Sequence, residues 1–500
     1  MVKKGDKLDN LLVETMASEG KTIAKTNGMV IFLQGGAPGD TVEAEVTKIK
    51  TSYMEGRVTS ILNYSPHRAE PFCIHFGMCG GCSWQHIDYE TQLFYKQKQV
   101  VDNLERIGGL ILPEIRPIIP STKTRHYRNR LDFTFSANRW LSKEELQAQH
   151  SSSNRNSSPL RVGDGRALPT EAPIAIGAKV GGEVALGFHI PRMYDKVFDV
   201  KECHLQPDPS NAIRLAVKQI AVKEGIDFFD LRKQIGFLRS LTIRTANTGD
   251  VMTILQVAYE KAAWTDLILN SLSEKFPQIT SLLYVINGKR NDTFSDLEVL
   301  CWKGKTYITE TMPKPDSDET LQFRVGPKSF YQTNSYQAHA LYDVAWAMAD
   351  LKGDEHIYDL YTGTGTIANF FAGRAKKVIG LENVAAAVED ARINSQINKI
   401  DNTEFYAGDI KELLNNSFLT QHGHPDLILT DPPRVGMHED VNRMLLEASP
   451  KRIIYISCNP ATQARDLKIL CEKYSITAVQ PVDMFPQTMH VENVVRLDKR

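Results

Sequence analysis

A chain of 500 residues with 42% hydrophobic content carries enough apolar material for several packed cores, and roughly three domains is the natural expectation. The formal net charge of -1 removes any global electrostatic case for a nucleic-acid partner, so a surface of that kind has to be local. The opening residues MVKKGDKLDN lack the apolar core of a signal peptide, and no stretch approaches the roughly 20 apolar residues that span a bilayer; a cytoplasmic protein without a membrane partner is expected.

Residues 1–64 alternate short apolar runs with turn signals. MVIFLQGGAPGDTVEAEVTKIKTSYMEGRVTSIL reads as β-strands broken at Gly-Gly, Pro-Gly and Glu-Gly, the pattern of a small barrel of the oligonucleotide-binding kind. Residues 65–320 read as a mixed α+β central domain. It opens on CIHFGMCGGC, which sets Cys73, Cys79 and Cys82 within ten residues, while Cys203, Cys301, Cys458 and Cys471 are scattered. An odd cysteine count without an export signal argues for metal binding or catalysis over a disulfide framework. Spacing leaves two metal centres open: zinc completed by His75, His86 or His204, or an iron–sulfur cluster completed by a fourth cysteine.

A helix-like segment, YETQLFYKQKQVVDNLERIG, follows. Next comes RPIIPSTKTRHYRNRLDFTFS, where Arg116, Lys123, Arg125, Arg128 and Arg130 alternate with His126, Tyr127 and Phe133, a composition suited to phosphate contacts and base stacking. The polar, Ser- and Asn-rich stretch at about 142–172 reads as an exposed insertion.

From 321 to 500 strand and helix signals alternate, implying a doubly wound parallel sheet with ligands at the carboxyl ends of its strands. HIYDLYTGTGTIANFF reads as strand, glycine turn and helix, and Glu382 ends the next strand, where an acid suits ribose hydroxyls. Asn369 to Phe371 stand where a third fingerprint glycine would be sought, which tilts the cofactor from a dinucleotide towards S-adenosylmethionine.

With DLYTGTGT, TDPPRVG, SCNPATQARD and MFPQTMHVE in that order, the chain resembles the RNA uracil-C5 methyltransferases. Residues 1–64 resemble the TRAM domain, an RNA-binding barrel, and CIHFGMCGGC resembles the cluster motif of the ribosomal RNA branch. The resemblance implies a Rossmann-like methyltransferase domain at 321–500, a [4Fe–4S] cluster held by Cys73, Cys79, Cys82 and Cys203, and cofactor contacts from Gln332, Tyr361, Glu382 and Asp431. It further implies Cys458 as nucleophile, Glu492 as general base, and 23S ribosomal RNA as substrate of a monomeric enzyme. Thr362 stands where many relatives carry Cys, and QTM at 487–489 departs from the commoner His-Thr-Gly.

Carbon 5 of uracil is a poor nucleophile. A thiolate that adds at carbon 6 supplies electron density for methyl transfer, and a base must then remove the carbon 5 proton before the thiolate leaves. Cys458 and Glu492 supply the two halves of that reaction. Three other readings are weighed against it. An amine methyltransferase is suggested by Asp431-Pro432-Pro433 but would place an aromatic residue where Arg434 stands. A non-catalytic RNA-binding scaffold would not need the glycine turn, Cys458 and Glu492 together. A transfer-RNA methyltransferase is the third, but the transfer-RNA branch of the family typically lacks both the TRAM-like barrel and the cluster, so the resemblance points to ribosomal RNA.

Overall fold

The computed structural model describes residues 2–17, 20–141, 184–191 and 193–500; the insertion expected at about 142–172 lies outside them. Five short strands build the N-terminal barrel: β1 (Lys7–Met16), β2 (Thr22–Thr26), β3 (Met29–Gln34), β4 (Thr41–Ile49) and β5 (Tyr53–Asn63). They pair in the order β1-β2-β3-β5-β4, and β4 closes back on β1. Along β4 the alternate residues Val42, Ala44 and Val46 are buried, the period of two that turns one strand face inward. They meet Leu11, Val13, Ala24, Ile31, Leu33 and Met54 in the barrel core.

Among the described residues the middle of the chain forms a seven-stranded sheet of β6 (Arg130–Ser136), β7 (Ala185–Ile190), β8 (Met193–Asp199), β9 (Leu238–Thr245), β10 (Val251–Val257), β11 (Ile279–Ile286) and β12 (Leu300–Gly304). Helices Ser210–Lys223 and Ala262–Lys275 cover it, with Ile213, Val217, Ile268 and Leu272 packed against Leu241, Ile243 and Leu255. Met252, Ile254 and Leu283 instead join the core of the C-terminal domain. The strands β13 (Ile308–Pro313) and β14 (Thr320–Val325) form a hairpin in that same core, beside Ile357 and Val378. The boundary read from sequence near 320 therefore falls inside a paired hairpin.

The C-terminal sheet contains β15 (His356–Leu360), β16 (Lys377–Glu382), β17 (Thr403–Ala407), β18 (Leu427–Thr430), β19 (Arg452–Ser457), β20 (Tyr474–Val482) and β21 (Glu492–Lys499), ordered β17-β16-β15-β18-β19-β21-β20. β15 to β19 run parallel, and β15, β16, β18 and β19 are buried almost without interruption, while the edge strand β17 buries Phe405. Their continuous apolar sequences follow from helices covering both faces. Strand order reverses between β15 and β18, and the crevice beyond the carboxyl ends at such a reversal is where this architecture binds ligands.

The helix Tyr89–Arg106 lies next to the cysteine motif in sequence but packs on the C-terminal domain. Its buried residues Gln92, Lys96, Val100 and Leu104 recur every four positions and form one face. Val100 and Leu104 enter the core that contains Tyr455, Leu467 and Val479. Lys96 is fully buried, and its ammonium donates to Asp483 Oδ1 at 2.6 Å and to the Phe485 carbonyl at 2.9 Å. Tyr89 donates its hydroxyl to Asp483 Oδ2 at 2.7 Å.

Removing one partner of a buried ion pair strands the other charge, at a cost of about 3–5 kcal/mol, whereas replacing both by apolar groups is often close to neutral. Lys96→Met should therefore lower unfolding stability by about that amount in urea titrations followed by tryptophan fluorescence. Lys96→Met combined with Asp483→Leu should recover most of it; a single variant as stable as the wild type would contradict the pairing.

Candidate functional site

The carboxyl edge of the C-terminal sheet gathers most of the residues expected from sequence. Tyr361 follows β15, Glu382 ends β16, Asp431 follows β18 and Cys458 follows β19. Glu492 begins β21, which runs antiparallel to β19 and so starts at the same edge. Gln332 comes from the loop before the helix Ser335–Ala349, and its amide donates to Asp431 Oδ2 at 3.3 Å.

Local sequence explains each placement. Asn459 caps the helix Pro460–Leu470 by accepting from the Ala461 amide at 3.2 Å, and Pro460 occupies the first turn, where a missing N–H costs nothing. Cys458 is thus held between a buried strand and a capped helix, half-buried at the sheet edge. After β15 the backbone turns through left-handed conformations at Tyr361, Gly363 and Gly365. At Gly365 a Cβ would stand 2.9 Å from Ala391 Cβ and 3.1 Å from the Phe405 ring, so only glycine allows helices Thr366–Ala372 and Ala385–Ile397 this approach. At Gly363 the space beside the backbone is open, a cradle that a side chain would fill.

Glu382 binds both sides of the turn, accepting from the Gly363 amide at 3.1 Å and the Val384 amide at 3.0 Å. A carboxylate has about four acceptor positions, which leaves capacity for ribose hydroxyls. Asp359 accepts from the Thr362 hydroxyl at 2.5 Å through Oδ2, while its buried Oδ1 has no protein donor. An orphaned acceptor beneath a glycine cradle fits a polar, cationic cofactor such as S-adenosylmethionine.

The electrostatics are dominated by crowded acids. Burial raises Asp359 and Asp431 to about 7, and charge on each neighbouring carboxylate adds to the effect on Asp359. Burial and then Asp431 push Glu492 well above the usual carboxylate range. Burial, then Glu492 and Asp431, push the Cys458 thiol up to about 12. Groups so placed cannot all ionise. The countercharge is Arg434, whose guanidinium draws Cys458 and Glu492 back towards their charged forms. Asn459 and Thr462 donate to the Arg434 carbonyl at 2.9 and 3.2 Å, and the Arg434 guanidinium donates to His490 Nδ1 at 2.9 Å. Burial, then the charge of Arg434, lowers His490 to about 4, so it is a neutral acceptor near pH 7. In the sequence Arg434 reads only as the residue that stands in place of an aromatic; its signal is its place directly after Asp431-Pro432-Pro433.

Away from this edge, Cys73, Cys79, Cys82 and Cys203 all line one cavity of about 320 Å³, with Gln85, Arg128, Arg130 and His204. Burial raises all four thiols, Cys82 to about 12, and charge on the other three would raise Cys82 further. Among the described residues, no three or more His, Cys, Asp or Glu are grouped to hold a metal ion. Two of the three histidines considered for zinc are turned elsewhere: His75 Nε2 accepts from the Lys201 amide at 3.0 Å, and His86 Nε2 meets the Gly36 carbonyl at 2.9 Å. His204 lies edge-on to Phe72.

The basic segment corrects one expectation. Tyr127 and Phe133, read as stacking platforms for bases, are buried, and the Tyr127 hydroxyl donates to the Pro486 carbonyl at 3.0 Å. The strand β6 needs an apolar face, and Phe133 supplies it. The cations remain outside: Arg125 lies over Phe72 at 3.7 Å and Lys123 over Tyr336 at 3.4 Å, while Arg128 and Arg130 border the cysteine cavity. Among the described residues no helix is long and apolar enough to cross a membrane.

Comparison with known proteins identifies the family. Residues 299–500 match the family described as tRNA (Uracil-5-)-methyltransferase, and residues 9–59 match the TRAM domain. A Bacteroides thetaiotaomicron protein described as an uncharacterized RNA methyltransferase is 50% identical over 488 residues, 97% of this chain and 100% of the relative. A Porphyromonas gingivalis protein of the same description is 49% identical over 489 residues, 97% of this chain and 98% of the relative. Among solved structures, the Pyrococcus abyssi tRNA (uracil-54, C5)-methyltransferase in complex with S-adenosyl-L-homocysteine superposes with a TM-score of 0.68 at 26% identity, covering 97% of this chain and 99% of that one. The chain belongs to the RNA uracil-5 methyltransferase family and is an S-adenosylmethionine-dependent RNA methyltransferase with an N-terminal TRAM domain.

Proposed function

We propose that the enzyme methylates carbon 5 of a uridine in 23S ribosomal RNA through a covalent bond between Cys458 and carbon 6 of the base. One observation carries the reading: β19 and β21 pair with Ser457 opposite Asn493, and the next position of that register is Cys458 with Glu492. S-adenosylmethionine supplies the methyl group as a sulfonium, and the acidic edge of Asp359, Glu382 and Asp431 suits that positive charge. Gln332, Tyr361, Glu382 and Asp431 hold the cofactor, with Glu382 on the ribose diol.

The order of steps follows from charge. The Cys458 thiolate, stabilised by Arg434, forms a bond to carbon 6, and the π pair of the carbon 5–carbon 6 double bond moves out to make an enolate; carbon 5 then bonds to the methyl group as the methyl–sulfur bond of the sulfonium breaks, its electron pair staying on the departing S-adenosylhomocysteine. The Cys458 sulfur then carries no negative charge, so one like-charged neighbour of Glu492 is gone and its carboxyl ionises more readily. Glu492 takes the proton from carbon 5, the carbon–sulfur bond breaks, and its electron pair returns to Cys458 as the ring double bond re-forms. The target base has to leave its stack to reach this edge, so single-stranded loops are the preferred substrates.

The division of labour proposed is RNA binding by the barrel at 1–64, cluster binding and RNA positioning by 65–320, and chemistry by 321–500. Cys73, Cys79, Cys82 and Cys203 hold a [4Fe–4S] cluster in this proposal, supported by their facing a single cavity. The barrel and the cysteine segment favour ribosomal RNA. A second substrate, tRNA, is favoured by one finding: the Pyrococcus abyssi tRNA enzyme shares the architecture over 97% of this chain.

Unmodified 23S RNA and tRNA, each incubated with labelled cofactor and resolved on denaturing gels, decide both points. Cys458→Ala should give neither product nor adduct. Glu492→Gln, unable to take the proton, should accumulate a denaturation-resistant protein–RNA species that carries label. Wild-type turnover by Glu492→Gln without that species would remove Glu492 as the base, and label confined to tRNA would establish the second substrate. Anaerobically purified protein should be brown and hold iron and sulfide in equal amounts; zinc without sulfide would replace the cluster in this account.

A further inference from the structure

The nine residues Asp483 to Val491 join β20 to β21 and lead directly into Glu492. The ladder partner Val482 fixes the backbone of Glu492, but where its carboxyl points, and how dry it stays, depends on this connection. The connection contains no helix or strand of its own, so its position has to be imposed by contacts from outside.

Asn334 holds the Met484 carbonyl and Arg434 holds His490, and the contacts on Gln487 come from the N-terminal half of the chain. Gln92, buried on the helix Tyr89–Arg106, accepts from the Gln487 amide at 2.9 Å and donates to Gln487 Oε1 at 3.1 Å. The same Gln92 amide donates to the carbonyls of Trp84 at 3.0 Å and Ile87 at 3.1 Å. The Gln487 carbonyl in turn accepts from the amides of Ser83 at 2.9 Å and Trp84 at 3.0 Å, the two residues after Cys82. The amide, carbonyl and side-chain oxygen of Gln487 are therefore all held by residues 83–92. Gln487 also has a φ of 68°, a left-handed conformation uncommon for a non-glycine residue, which these bonds hold in place. Just beyond it, Met489 packs against the small core of Ala37, Trp84 and Ile87.

We infer that Gln92 and Gln487 are positioning residues for Glu492, so that the segment from the cysteine motif through the following helix governs the proton-removal step. This rests on the reading of Glu492 as the base. Methyl transfer precedes that step and draws on Cys458 and the cofactor edge, none of which the pair touches. Loosening the pair should thus slow release of product more than methyl transfer, a split that a purely structural role would not give. Displacing a catalytic group by about an ångström costs on the order of a hundredfold in rate, so a tenfold effect on release is a modest expectation for a loosened connection.

The test uses the full-length holoenzyme, substrate RNA and labelled cofactor, with single-turnover sampling on denaturing gels. Gln92→Ala should carry out methyl transfer within about twofold of the wild type and release methylated RNA about tenfold more slowly, with transient build-up of the labelled adduct. Gln487→Ala keeps all three backbone bonds, should fold and melt as the wild type does, and should show the same imbalance to a smaller degree; it decides the matter if Gln92→Ala melts early. Release at the wild-type rate in both variants, or transfer and release reduced equally, would overturn the inference. Glu492→Gln runs alongside: its failure to trap the adduct would overturn the base assignment and this inference with it, whereas normal trapping there with balanced kinetics in the glutamine variants would overturn the inference alone.

Discussion

Lys96 and Asp483 stand 387 residues apart in the chain and meet at 2.6 Å with no access to water. An ion pair in that position is stable only with its hydrogen bonds complete, and here the Phe485 carbonyl and the Tyr89 hydroxyl complete them. The contact makes the helix Tyr89–Arg106 an integral part of the C-terminal domain, although barrel, cysteine motif and helix precede that domain by hundreds of residues. The basic segment is drawn to the same place through Tyr127 and Pro486, and the loop before the helix Ser335–Ala349 through Asn334, which donates to the Met484 carbonyl at 2.9 Å. Segments from the N-terminal half of the chain and the edge of the C-terminal sheet are thereby fixed against a single short connection.

At the other end of that connection lies a problem of charge. Asp431 and Glu492 are buried beside the half-buried Cys458; burial raises all three, Asp431 raises Glu492 further, and both acids raise the thiol, with Arg434 as the countercharge to Cys458 and Glu492. An arrangement that resists holding several negative charges is well matched to a reaction in which the charge on sulfur is consumed before the carboxylate has to act. The same acids favour an incoming sulfonium, so cofactor affinity and the sequence of proton transfers arise from one electrostatic feature.

Much of this was legible in the sequence because it is local. Gly363 and Gly365 announce the turn after β15, Asn459-Pro460 announces the helix start that pins Cys458, and continuous apolar runs announce buried parallel strands. The barrel was legible through short apolar runs broken at Gly-Gly, Pro-Gly and Glu-Gly. What stayed hidden is non-local. Lys96 looks like one more solvated lysine on a polar helix until Gln92, Val100 and Leu104 are seen to share its face. Tyr127 looks like a stacking platform, because composition cannot tell an aromatic beside arginines that faces RNA from one that fills a core. The hairpin of β13 and β14 crosses the expected boundary near 320, because pairing between short strands leaves no mark where one domain gives way to another.

The central claim is that the enzyme replaces the hydrogen on carbon 5 of a uridine. RNA transcribed with uridine tritiated at carbon 5, incubated with the enzyme and unlabelled S-adenosylmethionine, tests it most directly. The account predicts tritium released to water in step with methyl groups incorporated; methyl incorporation with the tritium retained on the RNA would contradict it.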